Sequence, residues 1–415
     1  ARGALLRLNS VCRTGTHLFQ FVAIVDTMRG WGPALRKAVA NWYLSKSPED
    51  LTYQVLKYQQ REGWSHRDVL RKSHPHTADP HLNAIFQFVT KGLSGIKDPF
   101  ALTDQMGAYT TLQIYPDFPE MAVDFITRFN LSREMIPTQL LTNPDVLRAL
   151  ANKSPYTALI RNLGNYTRHD VLKDVTTRNR VIQQLTDPVK IAKSRVHPIN
   201  VLTAHRTYGQ GTGFRGGNSW TPLPGILNAL EFAFYEAFKN VEPTCKRFLI
   251  GLDSSGSMSS RIYGGILTSA EVGAAIAMTL IRTEPWCKVM RFNHELTPLG
   301  ITRNDSLETA LAKTSHWTGG GTDCAQPMLY AERNNLAVDT FIVITDNETW
   351  AGRVNPTDAL RKYRAKMGIN AKLIVLATAS TPFSIADPND TGMLDIAGFD
   401  SSVPEIIRAF TLDQI

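Results

Sequence analysis

Residues 248–258 constrain this chain more than any other stretch. Phe248-Leu249-Ile250 is an apolar run that reads as a buried strand, and Gly251-Leu252-Asp253-Ser254-Ser255-Gly256-Ser257-Met258 follows it directly. Asp253, Ser255 and Ser257 place three oxygen-bearing side chains at alternate positions. A hard divalent cation takes oxygen ligands of this kind. Two later segments supply matching parts. Gly319-Gly320-Gly321-Thr322-Asp323 is a glycine loop carrying a hydroxyl, and Thr340-Phe341-Ile342-Val343-Ile344-Thr345-Asp346 is a second buried strand ending in Asp. Alone, the Asp-x-Ser-x-Ser run fits an ordinary strand-to-helix turn with a serine cap equally well. The three segments in this order favour a metal site.

The set resembles the metal-ion-dependent adhesion site of von Willebrand factor A domains, with all five positions present in order. The resemblance implies that Asp253, Ser255, Ser257, Thr322 and Asp346 hold one Mg²⁺, or Mn²⁺ in its place. It places them at the carboxyl ends of central parallel strands, where open α/β sheets bind ligands. Mg²⁺ keeps waters readily, and few carboxylates touch it here. An acidic group on a protein partner can therefore replace a water. Nothing nearby pairs a nucleophile with a positioned base. His294 and His316 read as surface or loop histidines, so the expectation is a binding device and not an enzyme.

The charge is unevenly spread. Residues 1–245 hold 29 Lys and Arg against 19 Asp and Glu, while 246–415 hold 16 against 18, so the first part carries +10 of the net +8 and the second −2. A basic domain beside a near-neutral one points to a polyanion partner. Plain solubility charge is the bland alternative. The four cysteines, Cys12, Cys245, Cys287 and Cys324, are scattered without a Cys-x-x-Cys pair. Reduced thiols and a cytoplasmic location are the simplest expectation. No apolar run approaches membrane-spanning length. The chain does not begin with Met, and the expectation is a cut start.

Residues 1–245 read as mostly helical. Leu35, Ala38, Val39, Trp42 and Tyr43 share one helix face, and Leu51, Val55 and Tyr58 another. Breakers recur at Ser47-Pro48, Glu62-Gly63, His74-Pro75, Asp98-Pro99, Asn143-Pro144, Ser154-Pro155, Asp187-Pro188 and His197-Pro198. Short amphipathic helices with regular interruptions suggest an α-solenoid of helical hairpins, although no clean sequence repeat is visible. Gly209-Gln210-Gly211-Thr212-Gly213 lacks a preceding strand, so it is no nucleotide fingerprint. From 246 to 415 the pattern alternates. Strands are expected at 247–252, 288–292, 340–345 and 372–377, with helices at 263–282, 326–335, 356–367 and 403–412. This is a doubly wound α/β domain with a parallel sheet and crossover helices.

Several segments together resemble the Ro family of Y RNA ribonucleoproteins, which carry the TROVE module. They include Gly30-Trp31-Gly32 with Ala34-Leu35-Arg36-Lys37-Ala38, Gly63-Trp64-Ser65-His66-Arg67-Asp68-Val69-Leu70-Arg71, and Thr157-Ala158-Leu159-Ile160-Arg161-Asn162-Leu163-Gly164. Arg195-Val196-His197-Pro198, Val241-Glu242-Pro243-Thr244, Asp346-Asn347-Glu348-Thr349 and Ile385-Ala386-Asp387-Pro388 extend the match across nearly the whole chain. Ser254-Ser255-Gly256-Ser257 is closer to the bacterial members than to the vertebrate ones. Family members carry further helical sequence before the equivalent of Ala1.

The resemblance implies a multi-domain protein. HEAT-like helical repeats over 1–245, with the N-terminal part missing, form a ring that the von Willebrand factor A domain of 246–415 closes. It implies that single-stranded 3′ ends of small or misfolded noncoding RNAs enter a central hole, and that Y RNA binds a basic outer surface. It also implies an exoribonuclease partner connected through the RNA, and a role in RNA quality control. The RNA-contacting Lys, Arg and His of the family match Lys57, Arg61 and His74. Lys57 and Arg61 stand four apart, which would put them on one helix face, and His74 follows the next helix. Basic side chains there would grip phosphates; a solvated basic face is the alternative. Trp31, Trp42 and Trp64 read as core anchors rather than stacking platforms. The leading expectation is thus an RNA-binding scaffold. A metal-dependent adhesion module for an acidic partner is the runner-up, and a metal-dependent hydrolase is third.

Overall fold

The computed structural model describes residues 2–28, 30–213, 217–262, 265–314, 321–345, 351–378, 385–399 and 402–415. The chain resolves into two compact units. One comprises residues 1–154 with 169–177, the other 155–168 with 178–415.

The first unit is built of short helices whose starts are written in the sequence. Helix α1 (Pro33–Leu44) buries Leu35, Val39, Trp42 and Tyr43, the face expected from the apolar spacing. Helix α2 (Pro48–Lys57) begins with Ser47 accepting the Asp50 N–H and with Pro48 in the first turn. Asp79 and Asn143 cap Pro80 and Pro144 in the same way. These Xaa-Pro pairs are therefore helix starts, whereas His74-Pro75 follows the helix that ends at Ser73. The preceding polar side chain satisfies free N–H groups, and proline needs no donor there.

Lys57 and Arg61 do not share a helix. The chain leaves α2 at Tyr58, and Arg61 lies in a two-stranded hairpin of β1 (Gln60–Arg61) and β2 (Trp64–Ser65). Glu62 and Gly63 close it with φ of +51° and +75°. Two consecutive positive-φ residues make the turn whose twist matches paired strands, and glycine relieves its second position. Helix α3 (His66–Ser73) follows at once. It opens with a capping box in which Ser65 and Asp68 bond each other's backbone.

The second unit contains a six-stranded sheet of order β5-β4-β3-β6-β7-β8. Its strands are β3 (Arg247–Asp253), β4 (Trp286–Phe292), β5 (Leu296–Pro298), β6 (Thr340–Thr345), β7 (Lys372–Ala377) and β8 (Met393–Ala397). All neighbours are parallel except β4 and β5. Strands β6 and β7 are buried at every residue, as expected of a parallel sheet covered on both faces. The helices are α6 (Ser269–Thr283), α7 (Leu307–Thr314), α8 (Gln326–Arg333), α9 (Pro356–Met367) and α10 (Val403–Thr411). The first begins at Ser269, six residues later than the spacing suggested, where a Thr268–Glu271 capping box sets its start. Gly273 on that helix allows close contact, since a Cβ there would stand 2.8 Å from Leu252.

The change from helices to strands does fall near residue 245, yet compactness divides the chain elsewhere. Helices α4 (Tyr156–Arg168) and α5 (Pro198–Gly209) belong to the unit that holds the sheet. Specific bonds explain this. Arg206 pairs with Glu271 at 3.0 Å. The Tyr235 hydroxyl accepts the Leu307 N–H at 2.9 Å. The buried Glu284 carboxylate accepts the N–H groups of Thr244 and Cys245 at 2.8 and 3.0 Å.

Candidate metal centre and nucleic-acid interface

Strand β3 lies between β4 and β6, and the chain crosses over it on the way from one to the other. The carboxyl ends of β3 and β6 therefore flank a topological switch point, the usual ligand crevice of an open α/β sheet. Asp253 ends β3 there, with only 4% of its surface exposed. Its Oδ1 accepts the Ser255 N–H at 2.8 Å. Its Oδ2 accepts hydroxyls from Thr345 at 2.9 Å and Thr322 at 3.5 Å. The Ser255 and Ser257 hydroxyl oxygens are 2.9 Å apart. Oxygens around an octahedral Mg²⁺ at 2.0–2.1 Å stand about 2.9 Å from each other. The donors present thus fit a hard cation by type and by spacing. Four of the five expected ligands converge here; the fifth, Asp346, and His316 lie outside the described residues.

Sequence reasoning missed three supporting residues. Thr345, fully buried, orients Asp253. Asp323 accepts the Ala325 N–H at 3.1 Å and the Gln326 side chain at 2.7 Å, which fixes the loop after Thr322. His294 accepts the Gly321 N–H through Nε2 at 2.9 Å, so this loop histidine is a structural clamp. No sequence signal marked it, since it stands 27 residues from Gly321 along the chain.

The second group of expected residues lies in the first unit. Lys57 ends α2 and is half-buried. Its Nζ donates to the Tyr53 hydroxyl at 2.7 Å and stands over the Tyr53 and Tyr58 rings. Burial pulls the ammonium pKa down, but the Tyr53 hydroxyl, Tyr58 and Glu134 outweigh it and hold it above the ordinary lysine value. Arg61 is exposed on β1, and His74 is exposed at the left-handed C-cap of α3. An eight-residue helix is about 12 Å long, so the hairpin and His74 stand at opposite ends of α3. Arg67 and Arg71, one turn apart and exposed on α3, join them. Their i, i+4 spacing opposite buried Val69, Leu70 and Ser73 was the signal for this face. Trp42 is a core anchor. Trp31 and Trp64 instead form a half-buried pair, ring centroids 5.9 Å apart, beneath the Lys72 ammonium.

Comparison with known proteins decides the family. The TROVE domain matches residues 2–109 and 127–208, and the Ro60 vWA domain matches 247–411. The chain belongs to the Ro family. The RNA-binding protein RO60 of Deinococcus radiodurans is 42% identical over 412 residues, covering 98% of this chain and 77% of that protein. The Caenorhabditis elegans protein of the same name is 36% identical over 468 aligned positions, covering 99% and 73%. The crystal structure of the Deinococcus radiodurans Ro (Rsr) protein superposes with a TM-score of 0.89, covering 100% of this chain and 84% of that one. The Ro fold expected from the sequence is therefore the fold observed: helical hairpins followed by a doubly wound A domain. Both segments that carry the candidate sites fall inside the matched regions.

Proposed function

We propose that this chain is an RNA-binding ribonucleoprotein scaffold of the cytoplasm, without catalytic activity of its own. The observation that carries the reading is the basic surface of the first unit. Arg61, Arg67, Arg71 and His74 are exposed on one hairpin-helix segment, and Lys57 is adjacent in sequence. Two relatives named RNA-binding proteins and the TROVE match support it. Structured Y RNA is the ligand for this surface in our reading. Single-stranded 3′ ends of small or misfolded noncoding RNAs, taken up in a central hole, and an exoribonuclease reached through the RNA complete it. No helix among the described residues is long and apolar enough to cross a membrane.

The test replaces Lys57 and Arg61 with Ala and His74 with Ser in one protein. Each lost phosphate contact should cost on the order of 1 kcal/mol and lower the salt slope of structured-RNA binding by about one. Unchanged affinity and slope in a folded variant would remove this surface from the function.

A second reading is favoured by the oxygen cluster at Asp253. With one Mg²⁺ or Mn²⁺ bound by Asp253, Ser255, Ser257, Thr322 and Asp346, the second unit would capture an acidic protein partner. The cation would supply an open coordination position for a carboxylate. The two activities use different units and are compatible.

A further inference from the structure

A cleft of about 430 Å³ lies inside the second unit, by the end of β3 remote from Asp253. Phe248 near the start of that strand, Ile276 and Leu280 one turn apart on α6, and Ile407 on α10 give it an apolar floor. All four are buried. The walls are held in place. Arg408 on α10 donates to Glu242 at 2.8 Å. Lys372 secures the other end of that helix through the Phe410 carbonyl and the Asp413 carboxylate.

A second part of the lining carries donors without acceptors. The segment Arg195-Val196-His197 joins the helix that ends at Ser194 to α5. Val196 is buried in the core, while Arg195 and His197 both line the cleft. His197 Nδ1 accepts the Ile199 N–H at 3.2 Å. Burial pulls the His197 pKa from 6.5 down to about 4, so the ring is neutral. A neutral imidazole with an accepting Nδ1 carries its proton on Nε2. That Nε2 is buried without a hydrogen-bond partner. The Arg195 guanidinium has no hydrogen bond or ion pair among the described residues. The carboxylates of the lining are already engaged. Glu242 and Glu405 face Arg408 at 2.8 and 3.7 Å, and Glu284 accepts two backbone N–H groups. A buried N–H without an acceptor is costly, and an unpaired guanidinium beside it attracts negative charge.

We propose that this cleft binds a small amphipathic carboxylate, its head on Arg195 and His197 and its hydrocarbon tail over Phe248, Ile276, Leu280 and Ile407. The volume falls within the range of small-molecule pockets, about 300–1,000 Å³. A single negative charge suits the site better than a phosphate dianion. Two donors satisfy two oxygens, and Glu242 and Glu405 stand on the same lining. The site is distinct from the metal centre, at the other end of β3, and from the basic surface of the first unit. It requires neither RNA nor a cation.

The experiment is isothermal calorimetry of the full chain with decanoate, which should show one saturable site. Octanoate, shorter by two CH₂ groups, should bind on the order of tenfold more weakly if the tail is buried. His197→Asn keeps a side-chain acceptor for the Ile199 N–H and removes the Nε2 donor; it should weaken decanoate on the order of tenfold. Arg195→Gln should weaken it about threefold, since Arg195 is exposed. Val241→Trp, which fills the cleft from its rim, should abolish binding. Melting curves confirm that each variant is folded, and affinity for an RNA hairpin should not change in any of them. Wild-type decanoate affinity in the folded double variant of Arg195 and His197 would overturn the head-group assignment. Decanol binding as tightly as decanoate would overturn the carboxylate, and octanoate binding as tightly would overturn the tail. Undiminished binding to folded Val241→Trp would place the molecule elsewhere. A wild type with no saturable heat and no Tm shift in decanoate would overturn the site altogether.

Discussion

Asp253→Ala is the perturbation that most directly tests the metal centre. The buried carboxylate accepts the Ser255 N–H and the hydroxyls of Thr345 and Thr322. Its loss leaves a backbone donor without its partner, at roughly 1–3 kcal/mol. Removing a buried charge offsets part of that cost. A net loss of about 1–2 kcal/mol in chelator corresponds to a Tm roughly 2–8 °C lower for a unit of this size. In Mg²⁺ the difference should widen. A cation at a hundred times its Kd stabilises the native state by about 2.7 kcal/mol, and only the wild type gains it. Calorimetric melts with EDTA and with MgCl₂ read both quantities. Thr345→Val is the informative partner, because it keeps every direct ligand and removes only the hydroxyl that orients Asp253. It should weaken Mg²⁺ by about 10–100-fold, the usual effect of losing an orienting partner. A wild-type melt that ignores Mg²⁺, even with an acidic peptide present, would refute the metal centre. An equal Mg²⁺ shift in Asp253→Ala would place the cation elsewhere. Loss of RNA binding in folded Asp253→Ala would break the division of labour between the units.

Arg67→Ala with Arg71→Ala should reduce structured-RNA affinity on the order of tenfold at low salt, with a slope lower by about two; filter binding over a salt series checks this. The first unit should also lose stability in mild acid. His66 is buried between the Tyr43 hydroxyl at 2.9 Å and the Gln54 carbonyl at 3.3 Å, and burial pulls its pKa from 6.5 down to about 4. Neutral His66 is favoured in the folded state. Its contribution is therefore whole above pH 6.5 and is lost progressively as pH falls towards 4, by up to about 3 kcal/mol. Urea titrations at pH 7 and pH 5 should show the loss, and His66→Gln should flatten it. A wild-type profile no steeper than that of His66→Gln would contradict the assignment.

The A domain was legible because buried parallel strands appear as unbroken apolar runs. Thr340–Thr345 and Lys372–Ala377 were located to the residue. The two edge strands were not. Leu296–Pro298 is three residues long and ends in proline, and Met393–Ala397 carries Asp395 in its middle. An edge strand keeps one side open, so it needs neither length nor continuous apolarity. Helix Leu307–Thr314 was missed too, since it buries only Leu307 and Ala310 and so shows almost no periodic stripe. In the first unit Ser47-Pro48 and Asn143-Pro144 were read as interruptions when they are starts. Both readings predict a boundary, and only the capping bonds tell them apart.

The hairpin at Glu62-Gly63 shows why site residues are harder to place than elements. Spacing of four between Lys57 and Arg61 means a shared face only if the helix continues. It stops at Tyr58, because the next residues must enter a turn that only positive φ can close. The consequence is functional. On a helix, the two cations would meet one phosphate group from one direction. On a helix end and a strand, Lys57 is held against tyrosine rings while Arg61 remains exposed. Downstream of Arg61 in the chain come the exposed Arg67, Arg71 and His74. The basic surface is thus organised by α3, and its reach of about 12 Å suits successive backbone contacts better than a single clamp. The same reasoning applies at Asp253. The sequence names the carboxylate, but its orientation comes from Thr345 on a strand 92 residues away. That hydroxyl reaches it only because β3 and β6 are neighbours in the sheet. Ligand identity is local information, whereas ligand geometry follows from strand order.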